Sequence, residues 1–414
     1  MDVTVLRNIH ENYRTYRRGD VLCVPDARAR RLAELGLVEW QAIMGRNPIE
    51  GQKTEVAWKE LRKLVSARPS DGPLAFPTRR SRLDMLKDGE KLLILRKYGG
   101  LGDILISSMI FPMLADQYPG VHVTYACPQR YRTLFDQTGL ALTPYESVFA
   151  AASYEEHRGT VRSEFLSTFD LVEDISIPCH IWETVFNQYG GSNGRDGNGL
   201  KWRNRLDMWS RWFGLAVKNP RTNIVIQKDE RTAAKARLAG TLGTGKPVCL
   251  IAPFSGNSIK CYPWFTELAH RIQADGWSVA LLYSVAIPTD IPTITGLTLR
   301  QMGALCAVAD LIISVDTSAF HWGGVLGTPT LGIFNVNDGA TYAKYYPTAR
   351  AIQVCETPCL FSRYSPGGIR CAKHTTESLP IFPGLGMEMS RCYPSASTTR
   401  IAEAVKAFWP TGKT

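Results

Sequence analysis

The chain lacks a long hydrophobic run. None of its 414 residues lie in an apolar stretch approaching the roughly 20 needed to cross a bilayer. Its opening residues, MDVTVLRNIHENYRTYRRGD, contain no apolar signal core, so export is not expected and a cytoplasmic protein is, with peripheral membrane contact left open. It also lacks internal repeats at solenoid periods, which sets aside repeat architectures. Basic residues are numerous without forming a run. The net charge is +10, of which residues 1–90 carry +4, so no arm of the nucleic-acid-binding kind stands out. Spread in this way, the charge fits a mildly basic soluble enzyme and permits an anionic partner such as a nucleotide donor, an anionic lipid or DNA. Ten cysteines are few for a disulfide scaffold of this size. Cys23, Cys127, Cys179, Cys249, Cys261 and Cys306 lie apart and read as buried or incidental thiols.

What is present is organised around Lys91 to Asp116, KLLILRKYGGLGDILISSMIFPMLAD. The run Leu92-Leu93-Ile94-Leu95 is too short for a helix and suits a buried strand. A turn containing Gly99, Gly100 and Gly102 follows, then Asp103, then an apolar-periodic segment that reads as one long helix. Glycines allow close backbone approach and a helix N-terminus favours negative charge, so this is a plausible ligand edge of a parallel sheet. Asp103 also suits an ordinary helix cap. The sequence GGLGD is not GxGxxG, and a dinucleotide fingerprint is not supported.

Length predicts two or three domains. Residues 1–42 read as a small β-rich module: strands VTVLRNI and VLCV, then a helix capped by Asp26 and stopped by Gly36. Its GD turn and D-A-R-A-x-x-L-x-x-L-G pattern resemble small domains of bacteriophage proteins. A plain extension of the main body reads equally from these residues. Residues 43–90 hold a helix over Thr54–Val65 and an extended Pro/Ser/Arg linker, ARPSDGPLAFPTRRSR. From 91 to 240 strands and helices alternate, with strands at 121–127 and 169–176 and a helix near Arg130–Gln137. The loop 189–199, YGGSNGRDGNG, is a lid, an acceptor loop or a disordered insertion. The aromatic helix at 202–215 should face the core. Residues 241–414 repeat the alternation: strands PVCLIAPF, SVALLYS, LIISV and TPTLGIF, with helices at 264–276, 298–310 and 317–326. The expected architecture is α/β, with two doubly wound parallel-sheet domains facing across a cleft.

Three loops then fall at strand carboxyl ends: 99–103, 255–264 and 314–321. Thr317 and Ser318 offer hydroxyls and N–H groups at a helix start, Lys260 offers a point charge, and Ser255 and Asn257 add neutral donors. Together they suit a diphosphate, although capping alone explains Asp316-Thr317-Ser318.

The stretch LLILRKYGGLGDILISSMIFPMLADQYPGVHVTYAC resembles the opening of the heptosyltransferase-like glycosyltransferases, glycosyltransferase family 9. ADLIISVDTSAFHWGGVLGTPTLGIF resembles that family's donor-site signature. Lys260 stands near Pro263-Trp264 much as in the family's K-x-W-P region, with Cys261 and Tyr262 inserted. CETPC and the closing CYPSASTTRIAEAVKAF resemble its tail. The resemblance implies the GT-B architecture, a nucleotide-sugar donor and an inverting displacement without a required metal. Asp103 is then the general base. Lys260, Ser255, Asn257, Thr317 and Ser318 hold the leaving diphosphate beside Gly102. Asp316 binds donor hydroxyls, and His321 packs under the site or is a satisfied core histidine. The family's acceptors are lipopolysaccharide-type saccharides. The phage-like extension adds a hydroxymethylated base in phage DNA as a candidate, and a catalytically silent glycan or sugar-nucleotide binder of phage is the alternative. The family usually carries a glycine and an acidic residue after the strand that here ends LLYSVAIPTD; Tyr283, Ser284 and Asp290 stand in that neighbourhood, and none of them is assigned to either place.

Cys355, Cys359, Cys371 and Cys392 are spaced C-x3-C-x11-C-x20-C, with His374 after Cys371. One close pair and two wide gaps leave structural zinc, reduced thiols and disulfides all open.

Overall fold

The computed structural model describes residues 2–5, 9–11, 14–16, 21–23, 38–40, 80–96, 99–143, 168–175, 204–256, 260–335, 337–354 and 397–409. The chain divides into two compact units, Met1–Ala67 and Arg68–Thr414. In the first, β1 (Asp2–Val5) is the central strand of an antiparallel sheet. A hairpin of β2 (Ile9–Glu11) and β3 (Arg14–Tyr16) follows, and β4 (Val21–Cys23) and β5 (Val38–Trp40) flank β1. The expected segment VTVLRNI is thus divided between β1 and β2. The helices expected after Asp26 and over Thr54–Val65, and most of the linker, lie outside the described residues.

The second unit carries two parallel sheets. Its first described element is the short helix α1 (Arg80–Leu83). β6 (Lys91–Leu95) has four consecutive buried residues, the pattern of a strand covered on both faces. The helix that follows is broken: α2 spans Leu101–Ser107 and α3 spans Ile110–Gln117. The cause is chemical. Pro112 has no N–H to give to the Ser108 carbonyl and its ring crowds that carbonyl, so it is tolerated only in the first turn of a new helix. The Ser107 and Ser108 hydroxyls donate to the carbonyls of Ile104 and Leu105 at 2.8 and 2.6 Å, which loosens the turn between the helices. β7 (His122–Ala126) is parallel to β6. A 3₁₀ turn, Gln129–Leu134, replaces the α-helix expected there, and β8 (Ala141–Thr143) and β9 (Leu171–Asp174) complete the order β8-β7-β6-β9.

Helix α4 (Arg205–Phe213) ends at Gly214 in the left-handed conformation. Its Trp209 and Trp212 are buried as core residues, and their indole N–H groups donate to Ile175 O at 2.8 Å and Glu173 Oε2 at 3.1 Å. Helix α5 (Lys228–Leu242) buries only Ala234 and Leu238, so hydrophobic periodicity does not announce it.

The larger sheet runs β12-β11-β10-β13-β14-β15, all parallel. Its elements in chain order are β10 (Val248–Ala252), α6 (Phe265–Ala274), β11 (Ser278–Leu282), β12 (Thr293–Ile294), α7 (Leu299–Val308), β13 (Leu311–Val315), α8 (Ser318–Leu326), β14 (Thr330–Phe334), α9 (Gly339–Ala343), β15 (Ala349–Gln353) and α10 (Ser397–Phe408). β13 and β14 are buried at every residue. α10 returns to this core through Ile401, Ala402 and Val405. Arg300 of α7 ties the two α/β halves together. Its guanidinium pairs with Glu230 of α5 and donates to the carbonyls of Thr133, Leu134 and Val225. Cys127, Cys249, Cys261 and Cys306 are buried thiols, and burial pushes Cys127 and Cys306 up to about 12, out of the reactive range. No described helix is long and apolar enough to cross a membrane.

Candidate active site

Each sheet reverses its strand order at one place. In the smaller sheet the reversal lies between β6 and β9; in the larger, between β10 and β13. Loops at such points splay apart and leave room for a ligand beyond the strand carboxyl ends. The loop after β6 carries Gly99 to Asp103. Those after β10 and β13 carry Ser255, Lys260 and Asp316 to Ser318. The candidate loops therefore occupy the switch points of both sheets.

Asp103 is the third residue of α2, not its cap. Gly100 caps the helix, and the Asp103 carboxylate reaches back to accept from Gly100 N at 3.1 Å. Two arginines face the same carboxylate. Arg96, 1% exposed, follows directly on β6 and places Nη2 3.6 Å from Oδ2. Arg205, the first residue of α4, pairs through Nε with Oδ1. Burial alone would raise this carboxyl; Arg205, Arg96, the field of His321 and the Gly100 N–H outweigh it and hold Asp103 below the usual carboxylate range.

On the other sheet, Lys260 Nζ donates to Asp316 Oδ2 at 2.6 Å, and Asn337 Nδ2 donates to the same oxygen. Asp316 is 8% exposed. Burial opposes its charge, while Lys260, His321 and Asn337 overcome that and hold the carboxyl below its ordinary value. Thr317, in extended conformation, is the N-cap of α8, and among the described residues its hydroxyl makes no capping bond. Ser318 Oγ lies 4.0 Å from Met302 sulfur. Ser255 exchanges weak backbone contacts with the Cys261 thiol, at 3.4 and 3.5 Å. Asn257 lies outside the described residues, as do Cys355, Cys359, Cys371, Cys392, His374, Cys179 and the loop 189–199. Among the described residues no group of three His, Cys, Asp or Glu side chains is placed to hold a metal.

His321, in the second turn of α8, joins the two halves. It is 4% exposed, and its Nδ1 shares a hydrogen bond with Tyr346 OH at 3.0 Å. Burial pushes its pKa down to about 4 against the pull of Asp316 and Asp103, so the ring is neutral at pH 7. Its other edge meets Gly102. A β-carbon there would stand 3.0 Å from Nε2 and closer still to Cδ2. Gly102 is thus required by contact between α2 and α8 rather than by its own dihedral angles. Because Tyr346 holds the ring, Gly102→Ala should destabilise the protein by about 1–3 kcal/mol or prise the two helices apart, and weaken donor binding. Thermal unfolding and a donor titration check this.

The motifs point to Asp103, Gly102, Lys260, Asp316, Thr317, Ser318 and His321. The structure groups these at facing sheet edges and adds Arg96, Arg205, Asn337 and Tyr346. Asn337 follows the carboxyl end of β14, the strand beside β13 in the sheet, in a loop that the sequence motifs do not mark. Asp290 is paired with His270 at 2.8 Å on the surface. Tyr283 directly follows β11 at its carboxyl edge and is tilted on Phe254 with ring centroids 4.7 Å apart.

Two parallel α/β domains with their ligand edges turned to one another define the GT-B class of glycosyltransferase fold. Residues 202–365 match the family model of Glycosyltransferase family 9 (heptosyltransferase). Among solved structures the chain is similar to a glycosyl transferase family 9 protein from Veillonella parvula. That pair shares 13% identity at a TM-score of 0.52, over 78% of this chain and 97% of that one. It is similar also to the ADP-heptose lps heptosyltransferase II of E. coli, with 16% identity and a TM-score of 0.50 over 77% and 98% of the two chains. At such identities the likeness concerns the fold. No curated protein matches the sequence. The family segment, which includes β13 and the start of α8, supports an enzyme of the glycosyltransferase type.

Proposed function

We propose that this enzyme transfers a sugar from a nucleoside-diphosphate donor to a saccharide hydroxyl with inversion at the anomeric carbon. The observation that supports this reading best is the pairing of Asp103 on one sheet edge with the Lys260–Asp316–Asn337 group on the other, joined through the Gly102–His321 contact. The acceptor oxygen attacks the anomeric carbon, the bond from that carbon to the diphosphate oxygen breaks, and the acceptor proton passes to Asp103. A carboxylate is a weak base at pH 7, and its two arginines weaken it further. The proton therefore moves late, as the acceptor oxygen grows acidic with bond formation, and positioning supplies much of the rate. Lys260 and the N–H groups at the start of α8 meet the negative charge of the departing diphosphate. Asp316 anchors Lys260 and offers its remaining lone pairs to donor hydroxyls.

The E. coli structure is named for ADP-heptose, which makes that donor the first to test. A cytoplasmic location goes with this reading, since activated nucleotide donors are made there. The test is a thermal-shift and nucleotide-release panel of nucleotide sugars, each with a lipopolysaccharide core saccharide or hydroxymethylated DNA. Stabilisation by one donor, with release driven by the saccharide, is the expected result. Release driven only by the DNA moves the acceptor to the modified base. Stabilisation without release under any acceptor leaves a silent binder, and no stabilisation by any donor overturns the proposal.

A further inference from the structure

A general base needs more than a suitable charge. Its carboxylate must hold one rotamer and one protonation state while the acceptor is bound. Asp103 sits in the first turn of α2, and its intrahelical anchor is a single N–H, that of Gly100. Arg96 is too far for a hydrogen bond and is otherwise engaged, with Nη1 on Ile175 O at 3.3 Å and its guanidinium 5.0 Å from the Trp209 ring centroid. The close contact comes from Arg205, more than a hundred residues away in sequence.

The setting of Arg205 is unusual. It opens α4, a helix of the smaller α/β half, yet the turn around it is held by the larger half. Asn204 caps α4 by accepting from Leu206 N at 2.8 Å, and its own amide donates to Thr341 O of α9 at 2.9 Å. Asp207 accepts from Lys344 Nζ at 2.8 Å and from the Tyr345 hydroxyl. The backbone that presents the guanidinium is therefore located by α9 and its following residues, on the carboxyl side of β14.

We propose that Arg205 is the positioning residue of the reacting centre, fixing the Asp103 carboxylate from the Asn204–Asp207 turn that is docked on α9 and the residues after it. This rests on the reading of Asp103 as the base. The contacts of Asn204 and Asp207 to the larger half thus reach the base through Arg205. The groups that face Asp103 are Arg96 beyond β6, Arg205 on α4, His321 on α8, Tyr131 in the 3₁₀ turn, Tyr125 on β7 and Tyr346 after α9. Of these, only the two arginines are charged at pH 7. Removing Arg205 withdraws the nearer of them and must raise the carboxyl.

The test compares Arg205→Gln and Arg205→Lys with wild type in three readouts. These are kcat and donor KM, the acid limb of the kcat/KM profile, and carboxyl NMR of aspartate-labelled protein with the Asp103 signal identified by its loss in Asp103→Asn. For Arg205→Gln, kcat should fall about 10- to 100-fold with donor KM within about threefold. The acid limb and the NMR midpoint should both rise by about one pH unit. Arg205→Lys should keep the midpoint near wild type and restore part of the rate, because it keeps the charge and loses the planar fork. An unmoved midpoint in Arg205→Gln, or a loss lying wholly in donor KM, overturns the assignment. Absence of transfer by wild type overturns instead the reading on which it rests.

Discussion

Replacing Asp103 with asparagine should cut sugar transfer by about 10²- to 10⁴-fold while leaving the donor bound. The amide oxygen of asparagine still accepts from Gly100 N, so the start of α2 survives. What is lost is the ability to accept a proton and the attraction of Arg205 and Arg96. Donor affinity should hold within a few-fold, because Lys260, Asp316 and the start of α8 belong to the other sheet. Steady-state transfer and isothermal titration with the donor check the two halves of the expectation. Transfer near wild type would remove Asp103 from the chemistry. Lost donor binding with intact folding would make it a donor ligand instead.

Lys260→Met should have the second large effect, on both binding and stability. Asp316 is 8% exposed and shares its Oδ2 between Lys260 and Asn337. Without the ammonium the carboxylate is left nearly buried against an amide alone. Breaking such a pair costs about 3–5 kcal/mol when both partners are deeply buried. Lys260 is 22% exposed, so water screens part of the loss and about 1–3 kcal/mol is the better expectation. The pH dependence has a definite sign. In wild type the folded carboxyl lies below its unfolded value, so its contribution is present above about pH 4 and fades as pH falls through the folded value. The gap in stability between wild type and Lys260→Met should therefore be full at pH 7 and narrow in acid. Adding Asp316→Asn to Lys260→Met should recover much of the stability, since no buried charge remains. Donor affinity should stay at least about tenfold reduced, because the diphosphate has lost its cation. Thermal unfolding from pH 7 to about pH 3 and donor titrations of wild type and the two variants separate the two effects.

The parts of this protein legible in the sequence are those whose cause is local. Leu92 to Leu95 and Leu311 to Val315 read as buried strands because an apolar run of that length has few other uses. Gly102 and Asp103 stood out because glycine next to an acidic residue at a helix start is a spacing of a few residues. The loop after β13 was found in the same way, and knowing that both loops follow parallel strands was enough to expect them on ligand edges. Other local signals misled. The apolar period from Ile104 to Gln117 predicts one helix, but Pro112 and the back-bonding serines make two. Helix α5 has no apolar stripe, and its capping pair, Gln227 and Glu230, was the only mark it left.

The sequence by itself determined the two α/β halves, the strand ends and the residue types at the candidate loops, because hydrophobic periodicity and turn chemistry act over a few residues. Only the tertiary structure decided that Arg205 meets Asp103, that Asn337 shares Asp316 with Lys260, and that His321 needs a glycine at 102. The reason is physical. A salt bridge or a van der Waals limit depends on where two distant segments cross. No period or spacing along the chain encodes that crossing; it is fixed by the packing of α2, α4, α8 and α9 across two sheets.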